Sequence, residues 1–179
     1  MWEWSKSNTT YKKTSNNKLS SEIAEHHSLK ENDSKQMYDF LEQQIISLGL
    51  QNIKLITCKY HPQTWAQLLK NTNNYQRIRK NFLKFLGYSQ SELCHQCGLS
   101  DEDINLLKKS ISPENYNTHI KIPFDFGGEL NFDNLCLIKT HPTHDKLHSL
   151  IQQQISSNFL QQHKIIYIPY FEGYLYHEQ

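Results

Sequence analysis

The first half of the chain carries two helical patterns separated by a strand pattern. From Lys35 to Leu50, apolar residues recur every three or four positions, which places them on one face of a helix that Gly49 ends. This face consists of Met37, Phe40, Leu41, Ile45 and Leu48. The segment therefore predicts an amphipathic helix packed against a core.

A short β-branched segment follows, and then a longer helical region. Residues 52–60 are rich in Ile and Thr, which predicts a strand, and His61-Pro62 imposes an extended exit. The second helical pattern starts near Thr64, pauses over residues 71–74 and continues to Gly87. Its inward stripe consists of Tyr75, Ile78, Phe82 and Phe85.

The second half of the chain changes to a strand, loop, strand and helix pattern. After His119 come a Gly127-Gly128 turn and an alternation of apolar residues that predicts a return strand. Helical spacing then continues past His148, so histidines stand at both ends of a β-β-α pattern. The apolar residues that carry it are Leu130, Phe132, Leu135, Leu147, Leu150 and Ile151.

These patterns predict an α+β protein with one principal domain and a tail. Residues 1–35 are rich in Ser, Asn, Thr and Lys without sustained periodicity, which predicts a mobile polar arm. Residues 36–90 form the helical and strand region, and residues 91–163 contain the β-β-α pattern. Residues 164–179 contain alternating apolar positions and several aromatic residues, which predict a short hairpin or an extended pair.

Composition excludes some classes of function. The 179 residues carry a net charge of +1, which gives no global reason to bind a polyanion. No apolar run approaches the roughly 20 residues that span a bilayer, and the N-terminus lacks the apolar core of a secretory signal. We therefore expect a soluble protein without membrane contact, either cytoplasmic or delivered as an effector.

Positive charge is nevertheless concentrated locally. Between Gln51 and Gln90 the sequence has seven Lys or Arg residues and no Asp or Glu. Arg77, Lys80 and Lys84 share one helix face, which indicates either a track for a nucleic-acid backbone or a solvated surface. The candidate nucleic-acid-binding residues are Arg77, Arg79, Lys80 and Lys84.

Cysteine and histidine spacings supply the candidate chemistry. Cys94 and Cys97 are separated by two residues, which is half of a zinc site. His144 and His148 are four residues apart in a helical pattern, so both imidazoles project from one face toward one ion.

The order of these elements resembles the HNH endonucleases of the ββα-metal superfamily. The resemblance covers roughly residues 94–151 and is closest in HIKIPFDFGGELNFDNLCLIKTHPTHDKLH, which is similar to zinc-knuckle HNH nucleases and to the DNase domains of bacterial toxins. It implies N-terminal helices followed by a ββα-metal module. It further implies a metal-dependent endonuclease that hydrolyses phosphodiester bonds, with double-stranded DNA as partner.

The resemblance also implies roles for individual residues. His119 would be the general base that activates water, and Asn134 would fix the loop that orients it. His144 and His148 would hold a divalent ion, Mg²⁺, Mn²⁺ or Zn²⁺. His119 precedes Pro123 by four residues where the family usually has three, so with His119 as the base one extra residue would bulge near Ile122. In a second register His119 is therefore a metal ligand and Ile120 stands at the position of the base.

Two departures from the family pattern motivate an alternative. Thr118 replaces a residue that usually ligates the metal, so Asp125, Asp133 or water would complete the site. The second cysteine pair of a structural zinc is also missing. A structural zinc would then need Cys94, Cys97, Cys136 and His141, unless Cys136 is a buried core thiol. The alternative function is a catalytically degenerate HNH scaffold, a zinc-stabilised module that binds nucleic acid or protein; any protein partner or inhibitor stays unidentified.

Overall fold

The computed structural model describes residues 31–177. The chain divides into two compact units, residues 1–39 and residues 40–179. In the first unit, the described residues 31–39 are helical, and helix α1 covers residues 31–47 in all. Most of the arm predicted over residues 1–35 lies outside the described residues. The predicted first helix is confirmed, and it begins four residues before Lys35.

The second unit alternates helices with short strands, and the fold class is α+β. The four strands form two separate two-stranded antiparallel sheets, β1 with β4 and β2 with β3. The remaining elements, in chain order, are β1 (Lys54–Lys59), α2 (Trp65–Ser89), α3 (Ser91–Gln96), α4 (Asp101–Lys108), β2 (Tyr116–Ile120), β3 (Leu135–Lys139), α5 (Asp145–Ser156), α6 (Phe159–His163) and β4 (Ile165–Tyr170).

Helix α2 is continuous, so the predicted pause over residues 71–74 is wrong. The helix starts at a capping box in which Thr64 and Gln67 satisfy each other's backbone N–H groups. The polar residues of the expected pause are satisfied locally, since the Asn71 amide donates to Gln63 and the Thr72 hydroxyl donates to the Leu68 carbonyl. Packing of the apolar face further along α2 outweighs the weak helix propensity of these residues.

Each sheet pairs segments in a definite register. In the β2–β3 sheet Tyr116 lies opposite Lys139 and Ile120 opposite Leu135. The predicted strand over residues 52–60 is confirmed as β1, and its partner is β4, with Lys54 opposite Tyr170. The C-terminal segment is therefore extended as predicted, but it pairs with β1 across the chain rather than forming a hairpin with itself.

The main core joins α2 to the β2–β3 sheet. Leu135 and Leu137 of β3 are fully buried against the apolar face of α2 and against Leu107 of α4. A second cluster, Cys58 with Leu160, Ile166 and Ile168, lies between the β1–β4 sheet and α6. Within residues 31–177, no helix combines the length and the apolar character needed to cross a bilayer.

A buried glutamine fastens α5 to β4. Gln154 is fully buried, and its side-chain amide donates to the carbonyls of Leu150 and Tyr167 at 3.1 and 2.7 Å. Its Oε1 accepts the N–H of Tyr167 at 2.8 Å. The side chain thus satisfies both backbone groups of one β4 residue inside the core, where unpaired polar groups are costly.

We predict that Gln154→Ala lowers the free energy of unfolding by about 2–3 kcal/mol, because both backbone groups of Tyr167 lose their partner. Gln152→Ala is the matched control, since this glutamine lies on the exposed side of the same helix and should change stability by about 0.5 kcal/mol or less. Urea unfolding followed by circular dichroism measures both. Equal losses in the two variants would contradict the assigned role.

Candidate metal centre

Three histidine side chains from separate parts of the chain converge on one point. His119 comes from β2, His144 ends the turn before α5, and His148 lies in α5. One donor atom of each lies within 4.8 Å of the other two. Within residues 31–177, these three histidines form the one group of at least three histidine, cysteine or carboxylate side chains that lie close enough to share an ion.

The geometry of the three rings suits a cation. The Nε2 atoms of His144 and His148 lie 3.0 Å apart, close to the roughly 3.3 Å edge of a tetrahedron with metal–nitrogen distances of about 2.0–2.1 Å. The His119 ring stands edge-on to both, with centroid distances of 5.2 and 5.4 Å. Spacing of four residues along a helix places His144 and His148 on one face, and β2 brings His119 to that face.

Burial lowers the pKa of two of these imidazoles, those of His119 and His144. His119 is only 6% exposed, and burial lowers its pKa to about 3, with smaller contributions from His144 and His148. The pKa of His144 is also lowered, first by burial and then by His148. A neutral imidazole offers a lone pair, which is the form that binds a metal.

Asn134 fixes the loop that follows β2. Its Oδ1 accepts the N–H of Ile122 at 2.8 Å, and its Nδ2 donates to the carbonyls of Ile122 and Glu129 at 2.9 Å each. Its backbone carbonyl accepts the N–H of Lys121 at 2.9 Å. One buried side chain thus closes the loop between the two strands and holds the end of the strand that carries His119.

The two loop glycines are required for different reasons. Gly127 has a φ of +86°, a left-handed conformation that favours glycine. A Cβ on Gly128 would lie 1.7 Å from the carbonyl oxygen of Ile122 and 2.8 Å from Nδ2 of Asn134. The Gly-Gly pair thus allows the loop to fold tightly against Asn134.

A cavity of about 380 Å³ opens beside the histidines. Its wall is mainly apolar and aromatic, and its polar groups besides the histidines come from Gln63, Tyr75, Thr118 and Asp125. The Thr118 hydroxyl is buried and has no hydrogen-bond partner among the described residues. The apolar wall consists of Leu68, Ile120, Pro123, Phe124 and Ile151 together with the Tyr75 ring.

The four residues predicted for a structural zinc are not brought together. Cys94 belongs to the main core, and burial raises its pKa to about 11, which opposes the thiolate that zinc requires. Cys136 is a fully buried thiol of β3 directed at the His119 carbonyl, and Cys97 is half-buried at the end of α3. His141 is exposed and pairs with Asp145. Cys94 and Cys97 both lie at α3, whereas Cys136 lies in β3 and His141 in the turn before α5, so the four side chains form no common site.

The two carboxylates considered for the metal site lie in different surroundings. Asp125 lies on the cavity wall, where its Oδ1 accepts the N–H of Gln63 at 3.0 Å. Asp133 is exposed and accepts the hydroxyl of Tyr174 at 3.1 Å. Asp125 is thus the one of the two that faces the cavity.

The predicted basic residues lie on the solvent side of α2. Arg77, Lys80 and Lys84 are exposed and lie about 140–200° around the helix from Tyr75, which lines the cavity, at about 100° per residue. Arg79 is half-buried and donates to the hydroxyl of Ser112 at 2.8 Å. This face does not line the cavity beside the histidines.

Sequence reasoning missed the wall of the cavity. Leu68 and Tyr75 are seven residues apart on one face of α2, and the Tyr75 hydroxyl donates to the Thr118 carbonyl at 3.1 Å. Their heptad spacing indicates an inward face, but it does not reveal which residues that face meets. Only the folded chain places them beside His119.

Comparisons with known proteins give one relative. The chain is 35% identical over 118 residues to "Uncharacterized protein YhhZ" of Escherichia coli (strain K12), an alignment that covers 66% of this chain and 29% of that protein. The chain thus spans less than a third of that relative's length. No family model matches the chain, and no solved structure matches it significantly.

We predict that the metal-free protein loses stability below pH 6.5. The folded pKa of His119, about 3, lies below its ordinary value of 6.5, so the unfolded state binds more protons between these values. The free energy of unfolding should then fall with falling pH, by up to about 1.4 kcal/mol per pH unit from this group. Urea unfolding with chelator at pH 7.5 and pH 5 measures the fall.

His119→Gln should make this loss shallower, because the titrating group is removed. Gln152→Ala is the control, since this exposed side chain carries no titrating group and should leave the pH dependence of the parent unchanged. The same pH dependence in His119→Gln and the parent would contradict a neutral buried His119.

Proposed function

We propose that this chain is an HNH-type endonuclease that hydrolyses phosphodiester bonds in DNA with a divalent ion at His119, His144 and His148. The convergence of these three imidazoles carries the proposal. The surrounding elements support it, since a strand, a Gly-Gly loop closed by an asparagine, a return strand and a helix with two histidines follow in the order the HNH resemblance implies. On this proposal β2, β3 and α5 are the ββα-metal module.

The donor set fits zinc better than magnesium. Three neutral imidazoles suit Zn²⁺, whereas Mg²⁺ prefers oxygen ligands in an octahedral shell. When bound, such an ion activates water near neutral pH and stabilises the negative charge that develops on phosphate oxygens. The chain's own contribution is to hold the three nitrogens together and to lower the pKa of His119 and His144.

We assign His119 the role of third ligand rather than general base. A pKa of about 3 makes this imidazole a poor proton acceptor, whereas its lone pair stays available to an ion. The β2–β3 pairing is regular and ends at Ile120, so an extra residue near Ile122 would lie in the loop that follows β2. In this register Ile120 stands at the position of the base, and its side chain packs against the main core.

The same register favours a second candidate function, the catalytically degenerate scaffold. With Ile120 in place of the base, the module would still bind an ion and nucleic acid or protein without cleaving it. The two functions share the metal site and differ in turnover.

The basic face of α2 is assigned to backbone contact outside the cavity. Arg77, Lys80 and Lys84 are exposed, and no Asp or Glu lies between residues 51 and 90. Phosphate contacts of this kind hold a nucleic acid without reading its sequence. Because Arg79 donates to Ser112, we leave it out of this contact surface.

We predict that the purified protein cleaves plasmid DNA only with a divalent ion, and that excess chelator abolishes cleavage. His144→Ala should lower the rate by about 100-fold or more, because an ion held by two imidazoles is lost more readily. His141→Ala is the matched control, an exposed histidine of the same segment that should retain the parent's rate. Agarose-gel conversion of supercoiled plasmid measures the rates.

Metal titration separates the competing assignments. If His119 is a ligand, His119→Ala should weaken both zinc binding and cleavage. If the variant loses cleavage but binds zinc with unchanged affinity, His119 is instead the general base. Cleavage that resists chelation would contradict the proposal. Zinc binding without cleavage in the parent would instead support the degenerate scaffold.

A further inference from the structure

We propose that the cavity beside the histidines seats one unstacked nucleobase of a single-stranded nucleic acid; this deepens the proposed function and rests on it. The cavity of about 380 Å³ lies within the range of roughly 300–1,000 Å³ typical of small-ligand sites. It shares His119, His144 and His148 with the candidate metal centre. A group seated there would therefore lie next to the bond that the metal centre acts on.

The apolar wall favours a flat, uncharged group. Tyr75 and Phe124 present aromatic rings, and Leu68 and Ile151 add aliphatic surface. Aromatic side chains bind bases of any sequence because every base has a π-face. The wall thus offers stacking and contact area rather than charge.

The few polar groups of the wall match the edge of a base. The carboxylate of Asp125 and the carboxamide of Gln63 belong to residues that line this wall. A carboxylate accepts hydrogen bonds from exocyclic amino or ring N–H groups, and a carboxamide both donates and accepts.

The charge of the wall argues against a phosphate inside the cavity. Neither Lys nor Arg lines it within the described part of the chain, whereas the Asp125 carboxylate does. The base would therefore enter the cavity while its phosphate stays at the histidines. A base stacked and paired in a duplex cannot enter such a site without first leaving the stack.

Trp65 extends this surface to the rim. It is 71% exposed at the start of α2, one turn before Leu68, which is 44% exposed and lines the cavity. Residues three apart on a helix share a face, so Trp65 lies on the same side of α2 as Leu68, and we place its indole next to the cavity. An exposed tryptophan there is a platform on which the neighbouring base of a single strand stacks.

Binding of the full-length, metal-free protein to three fluorescent probes tests the inference, with chelator present to prevent cleavage. The probes are a 12-nucleotide thymidine strand, a 12-nucleotide strand with abasic sites throughout, and a 12-base-pair duplex. Fluorescence anisotropy should show tightest binding to the thymidine strand. Trp65→Ala should weaken that binding by about 5- to 150-fold, the effect of one lost base stack.

Two further variants separate base contact from folding and from general charge. Phe124→Leu removes a ring that lines the cavity but keeps an apolar side chain, so it should weaken binding of the thymidine strand by about 5- to 150-fold, and thermal melting of the variant checks that it folds. Tyr88→Ala removes an aromatic ring that is 68% exposed near the other end of α2, and it should leave binding unchanged. On the abasic strand Trp65→Ala should have no effect, because no base remains to stack.

The outcomes distinguish this inference from the proposed function. Equal binding of the abasic and thymidine strands, or an unchanged affinity in both Trp65→Ala and Phe124→Leu, would overturn the base site even if the protein cleaves plasmid. If binding depends on the bases but the protein does not cleave DNA, the base site is supported and the nuclease proposal is contradicted.

Discussion

The hydrogen bonds of the Asn134 side chain are the constraint on which the candidate site depends. They tie Ile122 to Glu129 across the loop between β2 and β3, and the loop has no room for a Cβ at Gly128. The closed loop keeps the two strands in register, and the register directs His119 toward α5. A substitution in this loop would therefore alter the position of the His119 imidazole without contacting it directly.

The second condition is electrostatic. Three imidazoles that face one another would repel if protonated, and burial together with mutual proximity lowers the pKa of His119 and of His144. The arrangement thus prefers either a neutral cluster or a bound cation. The same buried environment surrounds the adjoining cavity, so one apolar setting serves both the metal centre and the base site that we infer.

Local sequence patterns predicted the parts of the site that depend on short-range spacing. The pair His144 and His148, the Gly-Gly turn and the loop-closing Asn134 were recognisable because each depends on helix periodicity or turn chemistry. The spacing of Cys94 and Cys97 predicted half of a zinc site on the same local basis, and the structure places the Cys94 thiol in the core. The pairing of β1 with β4 and the meeting of Tyr75 with Thr118 are contacts distant in sequence, and local pattern carries no information about them.

The central claim is that His119, His144 and His148 hold one ion, and anomalous diffraction from crystals soaked in zinc chloride tests it most directly. The account predicts a single strong peak at the zinc edge, about 2.0–2.1 Å from one nitrogen of each of the three imidazoles. Crystals of His148→Ala should lose this peak or show it weakened. A peak bound only to other residues, such as Cys94 and Cys97, or no peak between the three imidazoles at saturating zinc, would contradict the account.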